Sequence, residues 1–168
     1  DVIYDVEVLS GQLNDYDWLH LHHEDFTGQY GKFYVNFGLE PWYLEQKHFH
    51  EELAKELGYE NVWQLKHAVA ATIQEYVEGG GFLFAMCSAT DTIDIALAWL
   101  DTDIVPSPFD NTPYDPNYRR QVDYTQTFAF QDFKLTTNPM VYEFSDLDTS
   151  NYAMMRGAMA DYFTLFAF

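Results

Sequence analysis

A mixed α/β domain built on a largely parallel sheet is the fold class this sequence predicts, on three observations. Strand-like and helix-like segments alternate through the first hundred residues, the order that lays strands side by side with helical crossovers. Gly79, Gly80 and Gly81 precede Phe82, Leu83, Phe84, Ala85 and Met86, an unbroken apolar run of the length of a buried strand. Cys87 follows, and then Ser88, Thr90 and Asp91, which are able to cap a helix with the apolar face Ile93, Ile95, Ala96, Leu97, Trp99 and Leu100.

Taken in order, residues 1–9 carry Val2, Ile3, Val6 and Val8 and read as an opening strand, closed by turn residues Ser10, Gly11, Asn14 and Asp15. Residues 16–22 read as a second strand, with Trp18, His20 and His22 on one face and Leu19, Leu21 and His23 on the other. The loop beyond it holds Phe26, Tyr30, Phe33, Tyr34 and Phe37, an aromatic content that predicts a loop packed onto the body. Pro41 opens a helix that Gly58 stops, with an expected inward stripe of Trp42, Phe49, Leu53 and Leu57. Asn61 and Gln64 have capping-box spacing ahead of Val62, Leu65, Val69, Ile73 and Val77, one face of a second helix. Past Leu100, four prolines between 106 and 116 make a long irregular loop. Short strands are expected at 103–106, 127–135, 140–144 and 163–168, and 149–160 shows no period.

At 168 residues the chain is one domain, and its 18% aromatic content belongs to a globular protein. Eight Lys and Arg against 27 Asp and Glu give a net charge of −19. That surface repels phosphate backbones and anionic lipid, so no nucleic-acid partner is expected. No run of 18 apolar residues occurs, so no transmembrane helix is expected. A single cysteine excludes an internal disulfide framework.

Cys87 is the first chemical candidate. A strand reversing into a helix with a nucleophile-type residue at the corner is the pattern of a nucleophile elbow, and the crowded corner requires small residues on either side, here Ala85 and Ala89. Helix N-terminal amides make a thiolate more available, and the Ser88 amide is placed to hold an oxyanion. Thr90, Asp91 and Asp94 read as capping and charging the helix start. Against this stands a small buried cysteine that merely fills space.

The second candidate is His20, His22, His23, Glu24 and Asp25, at the end of the strand expected beside the Cys87 strand. His22 or His23 is then a base, with Glu24 or Asp25 as its orienter. A different use of the same run is a divalent-metal site of His20, His22 and Asp25. The structural reading makes His20 a core histidine and gives the others loop hydrogen bonds. Thr27, Gly28, Gln29, Tyr30 and Gly31 form a turn without the Lys-Ser/Thr of a phosphate loop, and no cofactor is expected. His48 and His50 read as surface residues.

Residues 79–91 resemble the elbow of the class I glutamine amidotransferase-like superfamily. With Tyr16-Asp-Trp-Leu-His-Leu-His-His-Glu-Asp-Phe-Thr-Gly-Gln-Tyr-Gly-Lys-Phe-Tyr34 and Asn138-Pro-Met-Val-Tyr-Glu-Phe-Ser-Asp146, the chain is similar to bacterial proteins called asparagine synthetase B, although nothing in it resembles an ATP-dependent synthetase domain. The resemblance implies a flavodoxin-like domain with helices on both faces of the sheet. It also implies Cys87 as nucleophile with an oxyanion pocket of Ser88, Gly28, Thr90 and Asp91. The relatives are longer at both ends and often carry an export signal, so the resemblance implies a piece of a longer, periplasmic protein. In the amidotransferases the activating His and Glu follow the nucleophile, whereas all six His here precede Cys87. Three readings result: a Cys-dependent amide or acyl hydrolase of a small-molecule substrate, a non-catalytic domain that binds a protein partner after losing the triad, and a metal-dependent hydrolase.

Overall fold

The computed structural model describes residues 1–148. Its elements are α1 (Asp5–Leu9), β1 (Trp18–His22), α2 (Tyr34–Phe37), α3 (Pro41–Glu56), α4 (Val62–Glu78), β2 (Phe82–Met86), α5 (Ala89–Ala98) and α6 (Ser107–Asp110), with short 3-10 turns between some of them. β1 and β2 pair in parallel, Trp18 opposite Phe82 and His22 opposite Met86. The intervening α2, α3 and α4 supply the long crossover that a parallel pair needs. The fold is mixed α/β around a small parallel sheet.

Local chemistry sets the elements that carry this frame. The Asn61 amide donates to Gln64 Oε1 at 3.1 Å, closing the start of α4. Val62, Leu65, Val69 and Ile73 on this helix are buried. Gly80 then takes φ +101°, and Gly81 lies so close to the Tyr76 ring that an added Cβ would come within 2.2 Å of it. Only glycine lets the chain turn there and enter β2.

α5 is buried on all sides from Asp91 to Ala98. Ile93, Ala96 and Leu97 join Leu19 and Leu21 of β1 and the apolar stripe of α4 in one core. Ile95, Ala98 and Trp99 face a second core with Ile104, Tyr118, Phe133 and Phe144. The Trp99 indole donates to the Tyr118 carbonyl at 2.7 Å, which satisfies the buried indole N–H.

Several expectations are corrected. Of residues 1–9, expected as a strand, Asp5–Leu9 form α1 and 1–4 take no regular structure; Glu7 accepts the Tyr4 amide and Asp5 pairs with Lys66 of α4 at 2.6 Å. Helices cover one face of β1 and β2, not both, among the described residues. α4 and α5 pack on the Leu19 and Leu21 side, and Trp18, His20, His22, Phe82, Phe84 and Met86 are exposed on the other. α3 buries Tyr43 and Ala54, while Trp42 and Phe49 are exposed. On that inward side Tyr43 and Ala54 pack in the core with Phe109, whose carbonyl accepts from Lys47.

The strands expected at 103–106, 127–135 and 140–144 do not form. Among the described residues a single isolated antiparallel bridge joins Leu135 and Ser145. Side chains take the backbone groups that a ladder would use. Asp94 accepts the amides of Phe128, Ala129 and Phe130 at 2.7, 2.9 and 2.8 Å, instead of charging the start of α5. Lys32 donates to the carbonyls of Thr136 and Glu143 at 2.6 and 2.7 Å. The strand expected at 163–168 lies outside the described residues.

Candidate functional site

Because β1 and β2 run in parallel and in register, the residues that leave their carboxyl ends leave side by side. His22, His23 and Cys87 are all exposed there, with a ring nitrogen of each histidine and the Cys87 sulfur all within 4.8 Å of one another. The His22 and His23 ring centroids are 4.1 Å apart. His23 has φ +68° and Cys87 φ +53°, left-handed conformations that cost about 1–2 kcal/mol each in residues other than glycine. Two strained corners, one per strand, thus turn their side chains toward a common point.

The elbow is tied to the histidine loop by α5. The Thr90 amide donates to the Cys87 carbonyl at 3.0 Å and closes the first turn. Thr92 Oγ1 lies 2.6 Å from the Ser88 carbonyl oxygen and 3.0 Å from that of Glu24, so one buried hydroxyl holds both loops. Ser88 heads α5, where the first amides have no intrahelical acceptor.

The carboxylates near the histidines have other tasks. Asp25 accepts from the Thr27 amide at 2.7 Å, the Thr27 hydroxyl at 2.6 Å and the Gly31 amide at 2.8 Å. It shapes the loop rather than orienting a ring. Glu24 lines a cavity of about 270 Å³ beneath the N-terminal segment, together with Val8, Leu19 and Ile73. Its Oε2 is buried there without a hydrogen-bond partner among the described residues. His20 is exposed, not in the core, and its Nε2 lies 3.3 Å from Met86 Sδ. The set His20, His22 and Asp25 is therefore not the group that the fold brings together. Gly28, with φ +79°, lies against α4, where an added Cβ would be 2.7 Å from Trp63 Cα. His48 is exposed and pairs with Glu52, whereas His50 is half-buried.

Sequence reasoning gave Lys32 and Tyr142 no role and read Asp91 only as a helix-capping or pocket residue. Asp91 is buried on the first turn of α5, 3.5 Å from Ser145 Oγ; burial first, and then the nearby charge of Asp148, push its carboxyl up to about 7. Burial lowers the Lys32 ammonium to about 8. Loss of water first, and then the charges of Asp148, Cys87 and Asp91, raise the Tyr142 hydroxyl. Residues 140–144 carried a functional signal only through the resemblance, and Lys32 ties the Glu143 carbonyl of this segment from more than 100 residues away. Comparisons of the chain with protein-family models, with curated proteins and with solved structures give no match.

Proposed function

We propose that this chain is a Cys-dependent amide or acyl hydrolase of the glutamine amidotransferase-like kind, in which β1 and β2 are two strands of a flavodoxin-like sheet. The observation that carries the reading is the meeting of Cys87, in a left-handed elbow, with His22 and His23 within 4.8 Å. A histidine in that place substitutes for the downstream histidine that the resemblance would require.

In this reading His22 or His23 takes the Cys87 proton, and the thiolate attacks the carbonyl carbon of the substrate. The oxyanion forms against the Ser88 amide at the head of α5. Collapse breaks the bond to the leaving group, which receives the proton from the imidazolium, and a thioester remains on Cys87. Water, deprotonated by the same imidazole, attacks the thioester and restores the thiol. Gly28 has a packing role against α4, so the oxyanion rests on the first amides of α5. Thr90 and Asp91 support the corner from within the helix, and small-molecule substrate enters from the exposed side.

An activated ester tests this. With p-nitrophenyl acetate and chelator-treated protein, a burst of one p-nitrophenolate per chain and an acetyl group on Cys87 by mass spectrometry are expected. Cys87→Ala removes both, and the His22→Ala, His23→Ala double variant slows the burst by about 10²-fold or more. A burst that survives Cys87→Ala would refute the reading. The apolar open face of Trp18, Phe82, Phe84 and Met86 favours the second reading, a non-catalytic binding domain; no acyl-enzyme would form in that case.

A further inference from the structure

We propose that His22, His23 and Cys87 form a binding site for a borderline-soft divalent transition metal, of which zinc is the type. The proposal stands on ligand geometry and donor chemistry and does not need the hydrolytic reading. Three points within 4.8 Å of one another fit inside a circle whose radius is at most that edge divided by √3, about 2.8 Å. Zinc requires about 2.3 Å to sulfur and 2.0–2.1 Å to nitrogen. In a tetrahedral site the circle through three donors has a radius of about 0.94 of the bond length, so each donor atom has to approach by no more than about 0.6–0.9 Å. All three side chains are exposed, so rotation about their own bonds supplies that motion without disturbing the core.

The donor set selects the ion class. One thiolate and two imidazoles suit zinc, cobalt or copper and give calcium or magnesium none of the oxygen ligands they prefer. A net charge of −19 raises the local concentration of any divalent cation. Three protein donors leave a fourth tetrahedral position open toward solvent, the arrangement of a site that keeps a water or an incoming ligand. Metal and acyl group compete for the same Cys87 lone pair, so a metal-loaded chain is silent as a hydrolase.

Cobalt titration of the chelator-treated, reduced protein tests the site. One equivalent is expected to raise a thiolate-to-cobalt charge-transfer band, which zinc displaces. Cys87→Ser abolishes the band, His22→Ala and His23→Ala each weaken binding by at least about tenfold, and His48→Ala on the far helix changes nothing. Zinc is also expected to slow maleimide labelling of the unaltered protein's single thiol by at least about tenfold. Absence of the band and of protection would overturn the proposal, as would a band undiminished in the double-histidine variant. A cobalt band without an ester burst leaves the metal site standing and removes the hydrolase; a burst without the band does the reverse.

Discussion

Asp91 gives a quantitative test of how the elbow is built. Its carboxyl is buried on the first turn of α5, and burial raises it from 3.8 to about 7. A raised acid binds more protons in the folded than in the unfolded state, so its effect on stability is most favourable below pH 4. That effect is lost as pH climbs from about 4 to about 7. At 1.36 kcal/mol for each tenfold change in acidity constant, the ionised carboxyl costs about 4 kcal/mol above pH 7, an order-of-magnitude figure. Asp91→Asn keeps the shape and the approach to Ser145 without the charge. The expected result is a variant more stable than the parent at pH 8 by a few kcal/mol, the gain shrinking toward zero near pH 4. Urea denaturation of both proteins across this range measures it. The difference between the two curves cancels the self-repulsion of the other acidic residues. A stability difference that does not change with pH would refute the reasoning, because it would mean that Asp91 is as well solvated folded as unfolded.

Other expectations concern the ties between segments. Asp94→Ala leaves the amides of Phe128, Ala129 and Phe130 without their acceptor and is expected to cost at least about 3 kcal/mol. Hydrogen exchange should show protection lost first at those three amides. Gly28→Ala drives a Cβ to 2.7 Å from Trp63 Cα in a left-handed conformation, with an expected loss of about 2–3 kcal/mol in thermal unfolding.

The parts legible in the sequence were those decided by neighbours in the chain. Three glycines and five apolar residues mark β2 with its own bounds, Pro41 marks the start of α3, and Asn61 with Gln64 marks that of α4. The side-by-side exit of the two strands then follows from parallel pairing, and with it the approach of the histidines to Cys87. Illegible were features decided at a distance. Nothing in the period of residues 127–135 reveals that Asp94 holds three of its amides, and nothing near Lys32 says that it reaches the carbonyls of Thr136 and Glu143 more than 100 residues on. α3 turns its Tyr43 side inward, where Lys47 donates to the Phe109 carbonyl in α6, more than 60 residues on. Asp25 looked like a partner for a histidine, yet its oxygens were already claimed by amides two and six residues away.

The most direct test of the account is the alkylation rate of Cys87, the chain's single thiol, by iodoacetamide at pH 7 with chelator present. The account predicts that replacing both His22 and His23 with alanine slows the reaction by at least about tenfold, while His48→Ala leaves it unchanged. Equal rates in all three proteins would contradict the claim that the two strand ends assemble a working cysteine–histidine pair.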